Sequence, residues 1–455
     1  MQVQYDKTIG CCCYYQKKRA IWDFETNKSF DLEKYWNGKY FTKIRRIIKA
    51  GYDDYTGCRN CQFIEYNTLC LPEDPPDHLN SKQASNYIKA FYNFKNKKIY
   101  IDNYPVRYYF NFGLACNLNC VMCSQAAIRK KNYAVLPTEI FDLFEEYFTY
   151  AEQVTIIGGE PFVIPQARNF IKKFNTSDRL SDVRLSIITN GTLLHHYMDY
   201  FNNIKKMNLC ISIDSSASTY EQIRRGASWS QLEKNINNLI SRKERRNRQW
   251  TITLAAVLMK SSLRNLVPFV KWLSQKHLRC NFVPITSTML NKNEDIFSYP
   301  QLLDTIPDWY NSINEAIELL QNHMPDAAIK LKIMRDKLIK LKKLYDNNPA
   351  LFSASDVKIT EILLGIQDKK FLIWGTASFY ELYLQDPIKQ ASLSNFLGFV
   401  DNDPKKWGQT KDNMPIYRPD QINSLQPDII IIASAMRQEI ITQIRNELGI
   451  TCKII

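Results

Sequence analysis

The chain has 455 residues, 45% of them apolar and 13% aromatic, enough to bury more than one core, and its length suggests about two to four structural units. Its formal charge of +14 favours an acidic partner in general, but the basic residues are spread along the chain, with the densest run "RKERRNR" at 242–248. No nucleic-acid-binding motif accompanies them, so nucleic acid is not expected as a partner. No apolar run approaches the roughly 18 residues that span a bilayer, and the opening "MQVQYDKTIG" lacks a signal peptide's apolar core, so a soluble, cytoplasmic protein without a membrane partner is expected.

Residues 1–70 hold six of the twelve cysteines, in "GCCCYYQ" and "GCRNCQFIEYNTLC". Tight clusters in a reducing compartment are how metal–sulfur sites look, whereas Cys210, Cys280 and Cys452 read as ordinary buried thiols. Residues 71–104, with "LPEDPPDHLN", read as a Pro-rich linker. From 105 to 285 six β-type runs alternate with helical patterns: "VRYYFNF" (106–112), "QVTIIG" (153–158), "VRLSIIT" (183–189), "LCISID" (209–214), "TITLAAVLM" (251–259) and "CNFVPI" (280–285). One such helix, "PTEIFDLFEEYFTYAEQ", has Pro137 near its first turn and places Ile140, Phe144, Tyr147 and Phe148 on one side. Right-handed crossovers then give an α/β fold with a parallel sheet, long enough to curl into a partial (β/α)6 TIM-like barrel. Residues 286–368 are mostly helical by period. A new βαβ pattern over 369–455, built on "KKFLIWGTASFYELYL", "FLGFVDND" and "PDIIIIASA", reads as a small doubly wound domain.

The first barrel run leads directly into "ACNLNCVMCSQ" (115–125), which places Cys116, Cys120 and Cys123 where parallel barrels build their sites. Three thiolates fall one short of the four that tetrahedral sulfur sites want. After the second run comes "GGEPF" (158–162). Gly158 and Gly159 leave room for a ligand amine to approach backbone carbonyls, and Glu160, before Pro161, adds an acceptor. A zinc knuckle that borrows a distant cysteine is the blander reading of the three thiols.

The spacing C-x3-C-x2-C followed by "GGEPF" resembles the radical S-adenosylmethionine (radical SAM) enzymes over roughly residues 105–285. The resemblance implies that Cys116, Cys120 and Cys123 hold a catalytic 4Fe-4S cluster whose fourth iron takes the amino and carboxylate groups of S-adenosylmethionine. It continues in "TNGTLL" (189–194) and "SIDSS" (212–216), which implies that Thr189, Asn190, Ser212 and Asp214 approach the cosubstrate; loop capping is the competing reading of all four. In "TYEQIRRGASW" (219–229) the family's arginine corresponds to Arg224 or Arg225. Met122 stands in a slot that is usually aromatic, and its thioether can pack on an adenine.

The stretch "DLEKYWNGKYFTKIRRIIKAG" resembles the "IWN…R" helix of SPASM and twitch modules. That resemblance implies an amino-terminal auxiliary 4Fe-4S cluster on two of Cys11 to Cys13, here Cys12 and Cys13, with Cys58 and Cys61, and Cys70 in reserve. The family's earlier cysteine and "PDG" turn are missing, so the ligand set stays open, and Cys-x2-Cys suits structural zinc equally well. Towards the carboxy terminus, "WGTAS" keeps only Gly375 of a dinucleotide fingerprint, so a nicotinamide cofactor is not expected. Asp401 ends the next strand, where an acidic residue can bind a ribose diol. The segment resembles the small Rossmann-like domains of sugar-modifying enzymes; a degenerate unit that only packs or dimerises is the equal alternative.

The function expected from these resemblances is oxidoreductase-like radical chemistry, a dehydrogenation or epimerisation, on a small sugar-like or nucleotide-linked metabolite, with electrons from a flavodoxin or ferredoxin. A ribosomal precursor peptide is the alternative substrate. In a different class, a zinc-stabilised nucleic-acid-binding scaffold would be told apart by iron and sulfide content.

Overall fold

The structure, a computed structural model of the chain, describes residues 1–11, 20–21, 31–49, 72–131, 133–246, 249–285, 291–347, 349, 352, 357–377, 380–381, 384–385, 388–389, 393–434 and 436–455. It divides into two compact units, residues 1–291 with 308–332, and residues 292–307 with 333–455.

The first unit is built on strands β1 (Gln2–Val3), β2 (Thr8–Gly10), β3 (Ala20–Ile21), β4 (Arg107–Asn111), β5 (Gln153–Ile157), β6 (Arg184–Thr189), β7 (Lys206–Ser212), β8 (Gln249–Leu258) and β9 (Arg279–Pro284). Strands β4 to β9 lie side by side in chain order, each parallel to the next. They fall on the six runs the sequence marks out, β7 starting three residues early. At the other edge β1 pairs parallel with β4, Gln2 opposite Tyr109, and antiparallel β2 and β3 complete the sheet. These strands of two and three residues are too short to carry a period.

Strand alternation gives this sheet two unlike faces. One carries Tyr108, Phe110, Val154, Ile156, Leu185, Ile187, Leu209 and Leu254, all fully buried. The helices Ile140–Phe148 and Pro165–Thr176 pack there, with Phe110 at 5.3 Å from Phe144 and 5.4 Å from Phe170 between ring centroids. On the first of these helices Phe141 takes the buried place that the period gave to Tyr147, which lies half-buried at the flank and accepts a hydrogen bond from the Leu32 amide. The opposite face is polar: Thr155, Ser186, Asn208 and Thr251 align in one row, Ile188, Cys210 and Thr253 in the next, then Ser212, Ala255 and Asn281.

Within the Pro-rich linker, Ser81–Lys95 forms a helix whose start is fixed by a capping box between Asn80 and Gln83. Its buried side is made of three amides, Gln83, Asn86 and Asn93, and the ring of Tyr87. Gln83 donates to the Ala151 carbonyl at 2.8 Å and Asn86 to the Tyr150 carbonyl at 3.0 Å, while Ile88, Tyr92 and Phe94 are exposed. A helix docked by amides carries no apolar stripe, so hydrophobic periodicity passes over it.

The stretch 286–368 is largely helical, as its period suggests, with helices Trp309–Gln321, Pro325–Asn347 and Val357–Leu364. The second unit's sheet comprises β10 (Phe371–Trp374), β11 (Phe396–Val400), β12 (Thr410–Lys411), β13 (Met414–Tyr417), β14 (Ile429–Ile432) and β15 (Lys453–Ile454), in the order β12-β13-β11-β10-β14-β15. All neighbours are parallel except β12 and β13. Both faces are covered: Phe371, Ile373, Ile429 and Ile431 enter one apolar cluster, and Leu372, Trp374, Ile430 and Ile432 the other. That accounts for continuous runs such as "IIII". The order reverses beside β10, the place where open α/β sheets leave a crevice.

Asp401, at the end of β11, is buried and already engaged. One oxygen accepts from the Thr376 amide at 3.2 Å, the Thr376 hydroxyl at 2.6 Å and the Lys406 ammonium at 2.9 Å, and the other accepts from the Asp403 amide at 3.0 Å. Burial works against its charge, but the bonds from Thr376, Lys406 and Asp403 outweigh it and hold the carboxyl below its ordinary range. A group depressed on folding stabilises above its unfolded pKa and loses that contribution as pH falls. Asp401→Asn should therefore weaken the second unit by about 1–3 kcal/mol at neutral pH, and urea unfolding should show the gap from wild type closing below about pH 4.

Candidate active site at the strand ends

The loop after β4 carries Cys116, Cys120 and Cys123, all half-buried with free thiols. Each sulfur has a nitrogen donor beside it. The Cys116 sulfur accepts from the Leu118 amide at 3.4 Å and the Asn190 side chain at 3.8 Å, that of Cys120 from Arg224 at 3.9 Å, and that of Cys123 from Arg129 at 3.7 Å. Arg129, in the short helix Ala126–Arg129, also donates to the carbonyls of Leu118 at 2.7 Å and Cys116 at 3.3 Å, closing the loop on itself. A two-residue ladder pairs Asn119 and Cys120 with Arg225 and Arg224.

Burial pushes the Cys120 thiol up to about 11 against the pull of Arg224, and it pushes the Cys116 thiol up against the Leu118 amide. Bound iron would override this and deprotonate the thiols outright. Among the described residues no three His, Cys, Asp or Glu side chains converge as they would on one ion. A cubane places its thiolates on separate irons, so its ligands need not meet, and three sulfurs each lying against an N–H suit it.

The glycines of "GGEP" lie against the cysteine loop. The Gly159 amide donates to the Gly113 carbonyl at 2.9 Å and the Glu160 amide to the Ala115 carbonyl at 2.8 Å. A Cβ on Gly159 would meet the Ala115 and Leu114 oxygens at 2.2 and 2.5 Å, and on Gly158, at φ 150°, the Gly113 oxygen at 2.7 Å. The backbone carbonyls they approach belong to the cysteine loop. Glu160 is buried and accepts from the Thr189 hydroxyl and the Asn190 amide, each at 2.7 Å, and from the Phe162 amide at 3.2 Å. Burial raises its carboxyl, and these bonds pull it back. It thereby ties the loop after β5 to the end of β6, with Pro161 buried beside it.

Asn190 continues the network, donating to the Asn117 side-chain oxygen Oδ1 at 2.9 Å and accepting from the Thr192 hydroxyl at 2.7 Å. Ser212 is half-buried at the end of β7, and Met122 is buried. Asp214 is buried, accepts from the Val257 amide at 2.9 Å, and forms an ion pair at 2.8 Å with Arg224. Burial drives the Asp214 carboxyl up and Arg224 opposes it. Of the two candidate arginines, Arg224 is the buried one beside the cysteines, and Arg225 is exposed.

The structure thus brings the three cysteines together with Gly158, Gly159, Glu160, Thr189, Asn190 and Asp214. Sequence reasoning missed Arg129, hidden in the basic run "IRKK", and Asn117, an unspecified position inside C-x3-C. It also missed Tyr220, whose hydroxyl is buried with no hydrogen-bond partner among the described residues. The auxiliary-cluster ligands Cys12, Cys13, Cys58 and Cys61, with Cys70, lie outside the described residues. Cys11 is exposed, its sulfur 3.8 Å from the Tyr40 hydroxyl.

Three free thiols thus sit on the loop after β4 of a parallel α/β sheet. Residues 110–260 match the Radical SAM superfamily. Residues 367–455 match the family described as C2185-like, N-terminal. The GTP 3',8-cyclase of Alkaliphilus oremlandii is 34% identical over 130 residues, which is 28% of this chain and 40% of that protein. The molybdenum cofactor biosynthesis protein moc-5 of Caenorhabditis elegans is 22% identical over 203 residues, 43% of this chain and 32% of that protein. The chain therefore spans well under half the length of these curated relatives. The crystal structure of Streptococcus suis SuiB shares 16% identity at a TM-score of 0.36, over 50% of this chain and 52% of that one, a likeness too slight to carry an argument.

Three substitutions test the construction of the site. Gly159→Ala should force the two loops apart and cost about 1–3 kcal/mol, as overpacking does. Arg224→Met should cost about 3–5 kcal/mol by leaving a buried carboxylate unpaired. Adding Asp214→Asn should recover part of that loss in urea unfolding; no recovery would mean that Arg224 stabilises through packing alone.

Proposed function

We propose that this chain holds a 4Fe-4S cluster on Cys116, Cys120 and Cys123, binds S-adenosylmethionine at the strand ends of an incomplete (β/α)6 barrel, and removes a hydrogen atom from a sugar-like or nucleotide-linked metabolite. The observation that carries the reading is the cysteine loop itself: three thiols, each beside a nitrogen donor, on a loop locked to "GGEP" through Gly159. When bound, the cluster and S-adenosylmethionine supply one-electron reductive cleavage to methionine and a 5'-deoxyadenosyl radical.

The chain's own residues position and enclose. Arg129 keeps the loop closed, Glu160 fixes the ends of β5 and β6, and Asp214 holds Arg224 towards Cys120. Thr189 and Asn190 reach the site through these bonds, and Ser212 and Met122 are left to meet the cosubstrate directly. The polar sheet face supports the substrate class: Ser186, Asn208 and Thr253, hydrogen-bonded to one another, and Asn281, which accepts from Lys330, are groups of the kind that pair with hydroxyls and amides. The relative named GTP 3',8-cyclase carries a nucleotide in its name, which agrees with a nucleotide-linked substrate.

The second unit's strand order supports a Rossmann-like domain, but with Asp401 engaged its ribose-binding role loses its free carboxylate. Packing or assembly is the role we assign to it. We further propose an auxiliary 4Fe-4S cluster on Cys12, Cys13, Cys58 and Cys61 in a twitch-like module, a flavodoxin or ferredoxin as reductant, and a cytoplasmic location.

Anaerobic reconstitution should load about eight irons per chain, the content of two cubanes, and the Cys116→Ala/Cys120→Ala/Cys123→Ala variant should keep about four. With dithionite and S-adenosylmethionine alone the wild type should slowly release 5'-deoxyadenosine, and Cys123→Ser should not. Release of S-adenosylhomocysteine alone would overturn the radical mechanism, and zinc without sulfide in the triple variant would overturn the auxiliary cluster.

A further inference from the structure

Beyond Cys123 the chain runs out as "AAIRKKNYAV" (126–135), and three large apolar side chains within eight residues face solvent: Ile128 at 51% exposure, Tyr133 at 85% and Val135 at 36%. Lys130 and Lys131 are exposed among them, and residues 116–138 contain no Asp or Glu. Arg129, between Ile128 and Lys130, turns inward to the sulfur of Cys123 and the carbonyl of Cys116. This surface is therefore the outer side of the same short segment whose inner side touches the cysteine loop.

Exposed apolar side chains within a cationic rim have the anatomy of an interface, with aromatic and aliphatic anchors inside and charge around them. The charge selects an acidic partner and speeds its approach. We propose that Ile128, Lys130, Lys131 and Tyr133 form the docking surface for an acidic one-electron carrier protein, with the electron entering on the Cys123 side. The inference rests on the proposed cluster. In each transfer the carrier is oxidised by one electron and the cluster reduced by one; no bond forms or breaks and no proton changes hands.

The probe is an acidic flavodoxin, used in two arms. In the first, its binding to the iron-free chain is followed by fluorescence anisotropy. In the second, the flavodoxin hydroquinone reduces the loaded chain in stopped flow, read as bleaching of the cluster's absorbance, with dithionite as a reductant that needs no docking. Ile128→Ser/Tyr133→Ala, which leaves the charge unchanged, should weaken binding and slow reduction by flavodoxin about tenfold or more while leaving reduction by dithionite unchanged. Lys130→Glu/Lys131→Glu should abolish the fall in rate with added salt that the wild type shows.

Wild-type binding and rates in both variants would overturn the surface, and so would equal slowing with dithionite, which would signal a damaged loop. If the wild type loads no cluster, the proposed function fails, and the anisotropy arm still decides the surface.

Discussion

The site depends on one close approach of two backbones. The loop after β5 lies so tightly against the loop after β4 that at Gly159 even a methyl group has nowhere to go. Two amide-to-carbonyl bonds seal the contact, and the buried carboxylate of Glu160 extends it to the end of β6. Three strand ends are thereby fixed by main-chain groups and one side chain, and the cysteine side chains project from a base that has little freedom left. Catalysis that requires an orienting surface closed to water needs such a base before it needs any particular ligand contact.

Electrostatics complete the arrangement. Arg224 and Arg129 bring positive charge to Cys120 and Cys123, and Asp214 keeps Arg224 buried and charged. Neither member of that pair would tolerate burial alone. The Cys116 and Cys120 thiols meanwhile sit where burial opposes their ionisation.

The sheet of the first unit was legible because parallel strands covered by helices leave β-branched and aromatic runs at regular spacing, and "TITLAAVLM" and "VRLSIIT" are such runs. The cysteine spacing and "GGEP" were legible for a different reason: their residue types are rare and their separation is fixed by chemistry. What the letters concealed was direction. Nothing in "GGEP" tells whether its glycines face a ligand or a neighbouring loop, and nothing in "DNDP" tells that Asp401 is already held by Thr376 and Lys406. Arg129 and Asn117 were hidden because their roles depend on loop geometry, and β1 because its partner lies about a hundred residues away.

The helix Ser81–Lys95 turns Gln83, Asn86 and Asn93 inward with the ring of Tyr87, and leaves Tyr92 and Phe94 outward. An apolar stripe can slide by a turn and find another set of rings to rest on, but a carboxamide aimed at one carbonyl has a single address. Gln83 and Asn86 therefore act as pins, and drawing them out would strand carbonyls of Tyr150 and Ala151 at the entrance to β5. The helix cannot fray away as an independent surface element. It should exchange its amide hydrogens in step with the sheet it braces, an outer segment with the kinetics of a core.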